Sequence, residues 1–515
     1  MDWTARGRVN VDYTHGYYRE LAPGLIDFAL LLAGYAPPDH AHTHYLDLGF
    51  GQGLSANIHA AACGGSFWGN DFNPVHAANA QTLIDASGAS GTFTDETFEQ
   101  LAARADLPEF DYIVLHGIWS WVPDEARATI LALIRRRLKP GGVVYVSYNA
   151  QPGWADALPL RQLMIQYAQA AGGGDQDVVG EIDDALAFAN RLFEAGAGYF
   201  DANPGVKPRL DGIARLNRQH LAHDHFNPTW APMYFSEVSA RFAEADLRYT
   251  ASASLLDQLD ALNLQPAQIA LLNEQPDGAL RETLRDYMLN QIFRRDLYVR
   301  DAPRLSAQAR AEALGEVRLT LTVAPESIAF DQAGGADEVA LSADLYAPII
   351  EALAAEDASP KRIGDLAAAA SLAGIPPDVL LDALTVLVGS ARAHPAQSPA
   401  QVEAARPHCR KLNSHLIDQA RRNADVRFLA SPLIGGGVRA SRFEQMFLAA
   451  REDGGRHPSD WAAEVWTHLA RQELSVAKAG RLLETPEENV AELTRLAGLF
   501  AERRLGLLQR LQVTD

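Results

Sequence analysis

Short apolar runs alternate with amphipathic stretches through the first half of the chain. Residues 45–48 are apolar but for Asp47, and Gly49, Gly51 and Gly53 follow at alternate positions. Residues 54–62 then hold no Gly or Pro. That order predicts a strand, a tight turn and a helix. The pattern recurs. Strands are expected at 66–70, at 91–94 with an exit loop to 98, at 110–115, at 143–149 and at 247–252. Helices are expected at 75–86, 124–138 and 236–245. A continuous apolar run such as 110–115, broken by one acid, is what a strand covered on both faces requires. The first half therefore reads as an α/β, Rossmann-like sheet, over residues 1–255.

Residues 154–230 do not belong to that alternation. A helix to about 171, the Gly172-Gly173-Gly174 break and a helical run over 178–199 read as an insertion before the sixth strand. Its position above the strand ends suggests a substrate lid. Residues 266–297 read as two helices around residues 273–278. A new unit over 316–395 follows, with a strand at 317–323, helices at 345–355, 363–370 and 377–387, and an exit at Arg392. This order is winged-helix-like. Residues 400–515 are mainly helical and carry no chemistry of their own.

The turns carry the candidate chemistry. Glycines spaced G-x-G-x-G let the backbone bend sharply and approach a ligand at a helix N-terminus. Asp71 ends the second strand at about the interval, ~20 residues, at which βαβ sites place a ribose-binding acid. A carboxylate there accepts two hydroxyl protons. The fourth strand ends in His116, Gly117, Trp119 and Trp121, and ligands of such sheets bind at that edge. Tyr17 and Tyr18 precede the first helix and are candidates to close over a bound ligand.

Composition narrows the classes. Net charge is -20, which disfavours a phosphate-rich partner. From Asp337 to Arg392 the basic residues are Lys361, Arg362 and Arg392, and the acids from Asp337 to Asp382 outnumber them. Protein recognition is expected there, and no nucleic acid. Two cysteines, Cys63 and Cys409, exclude a disulfide scaffold. The run 21–36 is too short to span a bilayer, so no membrane insertion and a cytoplasmic enzyme are expected. His220, His223, Asp224 and His225 cluster, but their spacing puts them on no common helix face. They read as a hydrogen-bonded junction, and no metal is expected.

The D-x-G-x-G-x-G stretch from Asp47 to Gly53 resembles the first motif of class I S-adenosylmethionine-dependent methyltransferases. Lys139-Pro140-Gly141-Gly142 resembles their turn before the fifth strand. Residues 116–123 together with 145–154 are similar to bacterial methyltransferases that carry a methyltransferase regulatory domain. That family includes protein-lysine methyltransferases acting on outer-membrane proteins. The likeness continues through 223–227, 233–237 and 291–297, and places a regulatory region at about 215–300. It implies S-adenosylmethionine as cofactor. Asp47, Gly49, Gly51, Gly53, Asp71, Phe72, Asp95, His116, Gly117 and Tyr18 would bind it, with Asp95 set against the adenine amino group.

Methyl transfer from a sulfonium is an in-line displacement, so the protein must orient groups and exclude water rather than supply a nucleophile. Tyr148 and Asn149, closing the fifth strand, are expected to orient the acceptor. Trp119 and Trp121 are expected to face the sulfonium. A lysine acceptor must first lose a proton, which Tyr17 or His116 would take. The acceptor reads as a nucleophilic N or O, with a protein lysine foremost. A small-molecule or sugar acceptor is the alternative, and a non-catalytic S-adenosylmethionine-binding scaffold the second.

Overall fold

The structure is a computed structural model. It describes residues 15–39, 42–171, 178–215, 227, 229–276, 278–330 and 340–515. The expected lid glycines, the junction histidines His220, His223 and His225, and Asp224 lie outside these residues.

Seven strands form the central sheet, in the order β3-β2-β1-β4-β5-β7-β6. They are β1 (His44–Leu48), β2 (Ser66–Asn70), β3 (Gly91–Thr94), β4 (Phe110–Leu115), β5 (Leu138–Asn149), β6 (Arg248–Ser252) and β7 (Phe293–Val299). The first five are parallel in their pairings, and β7 runs antiparallel to both β5 and β6. The strand order reverses between β1 and β4, so the crevice of an open α/β sheet lies at their C-terminal ends.

β4 is buried along its whole length. Its single acid sits at the far end, where Asp111 pairs with Lys139 at 2.8 Å and accepts the His44 amide at 2.7 Å. That pairing removes the cost of an isolated buried charge and leaves the ligand-facing end apolar.

β7 falls where the second helix of 266–297 was expected to continue. Helices Pro266–Asn273 and Ala279–Leu289 form, and the chain then extends. Arg294 and Asp296 hid the strand. Both are buried, and they pair with each other at 3.0 Å, with Arg294 also bonded to Asp286 at 2.5 Å and to Glu282 at 2.9 Å. Charges that satisfy one another can be buried inside a sheet.

One face of the sheet packs on α1 (Pro23–Leu32), α2 (Leu54–Cys63) and α3 (Pro74–Ser87). The other packs on α4 (Phe98–Ala103), α5 (Asp124–Arg137) and the helix Phe235–Ala243. The insertion has a small core of its own, from Leu160 and Met164 to Leu186, Phe200 and Leu210.

In the 316–395 unit, β8 (Arg318–Leu321) lies between β9 (Lys361–Arg362) and β10 (Ala393–Ala396) in an antiparallel sheet. Helices Ala343–Ala358, Ile363–Ala368 and Pro377–Gly389 accompany it. The C-terminal region packs directly on α2 and α3 through the helix Pro399–Ala420. Leu54, Ile58 and Leu83 share a core with Leu412, Leu416 and Phe447. The helix that carries the glycine turn therefore depends on residues more than three hundred positions away for part of its packing. Among the described residues, no helix is long and apolar enough to cross a membrane.

Candidate active site

The turn after β1 takes its shape from its glycines. Gly49, Gly51 and Gly53 all adopt positive φ, at 73°, 59° and 74°, a region closed to most side chains. A Cβ at Gly49 would lie 2.2 Å from Ile118 Cδ1, and one at Gly53 would lie 2.4 Å from the Ala80 Cβ. The turn is thus in contact with the loop after β4, and only glycine fits between them.

Asp71 is tied to this turn. Its Oδ2 accepts the Gly51 amide at 2.9 Å, and its Oδ1 accepts the Asn73 amide at 3.0 Å with His76 Nδ1 at 3.3 Å. Both oxygens are oriented by these bonds and keep lone pairs for further donors. Asn73 Oδ1 accepts the Val75 amide and starts α3. Phe72, beside the acid, is exposed. Asp95 is exposed in the loop after β3. The cap of α4 is Thr97, in a capping box with Gln100, so Asp95 is not used as a helix cap.

Asp47 is buried at the end of β1, and its pKa is pushed up to about 7, first by burial and then by the nearby Asp71 charge. His116 is half-buried. Its Nδ1 lies 2.8 Å from the Tyr145 hydroxyl and 3.3 Å from Ser147 Oγ, and Ser147 Oγ also accepts the Gly117 amide at 2.8 Å. Burial, with Arg295 nearby, lowers the His116 pKa to about 3. The ring is therefore held in its neutral form. The Tyr18 ring lies over His116, with centroids 3.9 Å apart, and the Tyr18 amide donates to Ser55 Oγ on α2 at 2.9 Å.

Ser147 and Tyr145 support the site and were not singled out from sequence. Their signal was there in the period-2 alternation of β5, which puts Tyr145, Ser147 and Asn149 on one face. Tyr148 falls on the other. It is fully buried, and its hydroxyl donates to Asp296 Oδ2 at 2.7 Å. The expected acceptor-orienting role of Tyr148 is corrected accordingly, because its hydroxyl is committed to the charged pairs of β7.

Tyr17 is corrected as well. It is turned away from the edge, and its hydroxyl accepts the Gly437 amide at 2.6 Å, with burial raising its pKa. Trp119 is a core residue, fully buried with its ring 5.0 Å from Phe242. Trp121 lies 5.7 Å from Trp230, which meets Trp154 edge-on at 5.0 Å. Trp230 Nε1 donates to Asn149 Oδ1 at 2.9 Å. An indole N–H only donates, so this bond fixes which end of the Asn149 carboxamide is the oxygen. Asn149 and three tryptophans therefore sit together under the insertion.

The sheet order with its antiparallel β7, the glycine turn and the Asp71 anchor together define a class I methyltransferase. Residues 46–142 match the family described as "Methyltransferase domain", and 217–300 match "Predicted methyltransferase regulatory domain". The uncharacterized protein sll1526 of Synechocystis is 37% identical over 518 residues, which cover 100% of both chains. The uncharacterized protein RP789 of Rickettsia prowazekii is 25% identical over 57% of this chain and 53% of its own. The solved structure of PKMT2 from Rickettsia typhi in complex with AdoHcy superposes with a TM-score of 0.68 at 17% identity, covering 94% of this chain and 98% of that one. The chain belongs, with sll1526, to the S-adenosylmethionine-dependent methyltransferases that carry a methyltransferase regulatory domain.

Proposed function

We propose that the chain methylates protein lysine side chains, with the regulatory region and the insertion forming the walls of the acceptor path. The observation that carries this reading is the placement of Asn149 beside Trp121, Trp154 and Trp230 at the edge where β4 and β5 end. Aromatic walls suit the long apolar stem of a lysine, and a carboxamide suits its polar end. The sequence resemblance in residues 116–123 and 145–154 points to the same acceptor class.

S-adenosylmethionine, when bound, supplies an electrophilic methyl group on a sulfonium. The residues present fit it. The glycine turn follows a path closed to side chains, Gly117 opens onto free space, and the Asp71 carboxylate is held in place by the Gly51 and Asn73 amides with lone pairs left to accept hydroxyls. Asp71 would hold the ribose and Asp47 the cationic amino-acid end. Tyr18 with His116 would cover the edge from solvent. Asn149 would orient the acceptor nitrogen for in-line attack. So oriented, the nitrogen lone pair would form the new N–C bond as the S–C bond breaks and the sulfur keeps its electron pair, leaving as a thioether. The acceptor must be a neutral amine at that moment, and lysine has an ordinary pKa of about 10.4. His116 is held neutral by burial and Tyr17 faces the C-terminal half, so the proposed route has the proton lost to solvent before the amine enters. An apolar path favours the neutral form.

The 316–395 unit, which we read as winged-helix-like, is proposed to meet protein rather than nucleic acid because of its acidic surface. The test of the acceptor class is a lysate whose lysines have been acetylated, compared with an untreated one. Transfer that disappears on acetylation supports the reading. Transfer that persists unchanged assigns a different acceptor.

A further inference from the structure

The described chain enters at residues 15–21 between the two halves of the protein. Tyr18 has extended backbone, with φ -116° and ψ 101°, so neighbouring side chains point to opposite sides. Tyr18 faces the cofactor edge and stacks on His116. Tyr17 and Arg19 face the C-terminal half.

Tyr17 is gripped there. Its ring packs between Phe428, at 4.8 Å, and His59 of α2, at 5.4 Å. Its hydroxyl accepts the Gly437 amide at 2.6 Å and lies 3.3 Å from His59 Nε2. Gly437 belongs to β12 (Gly436–Arg439), which pairs with β11 (Phe428–Ser431). A Cβ at Gly436 would lie 2.7 Å from the Tyr17 hydroxyl, and one at Gly437 would lie 2.8 Å from the ring. The glycines of this hairpin are therefore the floor on which Tyr17 rests. The same hairpin is fixed to α2, since Cys63 Sγ donates to the Gly435 carbonyl at 3.0 Å and Gln397 Nε2 bridges the Ala62 and Pro432 carbonyls, each at 2.7 Å. Arg19 Nη1 donates to the Val388 carbonyl at 2.9 Å, at the end of the helix Pro377–Gly389. Between these two anchors, the Tyr18 amide reaches Ser55 in the first turn of α2.

We infer that Tyr17 is a positioning residue through which the C-terminal hairpin holds Tyr18 over the cofactor edge, so that cofactor affinity depends on a contact made by the last quarter of the chain. It rests on the reading of Tyr18 as part of that edge. One residue cannot swing without the other, because the extended backbone joins them across a single peptide bond. The Gly435-Gly436-Gly437 run, which carries no chemistry of its own, then has a purpose that reaches the site from outside it.

A double-mutant cycle on the full-length protein tests this, with S-adenosylhomocysteine affinity read by calorimetry. Tyr17→Phe keeps the ring and removes only the hydroxyl. It should weaken binding roughly 5- to 150-fold, the usual span of coupling between sites, with the fold retained by circular dichroism although the unpaired Gly437 amide lowers the melting temperature. In a Tyr18→Ala background the same substitution should have no further effect. In the ligand-free protein, Tyr17→Phe should also speed hydrogen exchange at the Tyr18 amide. Unchanged affinity for Tyr17→Phe overturns the inference, as does an equal loss in both backgrounds, which is the mark of a merely structural tyrosine. Failure of the unsubstituted protein to bind the ligand is a different result, and it would count against the reading of the cofactor site itself.

Discussion

The Gly51 amide donates to Asp71 Oδ2 across 2.9 Å, and this bond joins the turn after β1 to the acid that closes β2. Shape and charge at the site are one unit as a result. Asp71→Ala removes the anchor for the turn and the acceptor for ribose hydroxyls together. Losing one hydrogen bond to a charged group costs about 1.5–3 kcal/mol. Cofactor affinity should fall at least roughly ten- to a hundredfold, with the fold retained by circular dichroism. Affinity within a factor of two of the parent would refute the assignment of this acid.

Asp47 sets a pH dependence. Its folded pKa of about 7 stands above the ordinary carboxylate value because of burial and then Asp71. Between the unfolded and folded pKa values the folded protein binds the extra proton, so the stability of the free enzyme should decline as pH rises from about 4 to 7. A cationic ligand end favours the carboxylate. Binding near pH 6 should therefore release a proton, and affinity should rise with pH until about 7 and then level. Calorimetry at pH 6 in buffers of different ionisation enthalpy measures the proton directly. Proton uptake on binding would contradict the sign.

Asn149→Ala should lower kcat by roughly ten- to a thousandfold, the range for loss of one positioned hydrogen-bonding group. Cofactor affinity should change little, since Asn149 is placed on the acceptor side. The variant also frees Trp230 Nε1, so the melting temperature is to be measured on the same sample. A stability loss with normal turnover per folded molecule would show Asn149 to be a structural tie for Trp230.

Leu412, fully buried in the helix Pro399–Ala420, packs in the core that includes Leu54 and Ile58 of α2. Leu412→Ala should cost about 2–5 kcal/mol of stability, read by urea unfolding. Because this core lies under the glycine turn, truncation of the C-terminal region should not leave an intact cofactor domain. Residues 400–515 read from sequence only as a mainly helical region, and the core they share with α2 shows in the packing alone. A well-folded fragment ending near residue 315 with full cofactor affinity would refute this packing argument.

Much of the sheet was legible because its strands are apolar runs and its turns are glycines. The ends of β1, β2, β4 and β5 could be placed from residues 45–53, 66–71, 110–117 and 143–149 alone. What stayed hidden depends on partners distant in sequence. β7 carries Arg294, Arg295 and Asp296. Arg294 is tolerable in a core because it pairs with Asp296, Asp286 and Glu282, and Asp296 because it pairs with Arg294 and accepts the Tyr148 hydroxyl. Trp119 and Trp121 look equivalent in sequence, yet a turn closed by the Trp121 amide on the Ile118 carbonyl sends one into the core and leaves the other toward Trp230. Tyr17 and Tyr18 are neighbours of one type, and a single extended residue puts them on opposite sides of the chain.

The central claim is methyl transfer to a protein lysine. Its most direct measurement is incubation of the purified enzyme with methyl-labelled S-adenosylmethionine and a cell lysate, followed by separation of protein from small molecules and amino-acid analysis of the protein. The account predicts label in the protein fraction, recovered as methylated lysine and strongly reduced with Asp71→Ala at sub-saturating cofactor. Label confined to small molecules, or recovered from protein on a residue other than lysine, would contradict it.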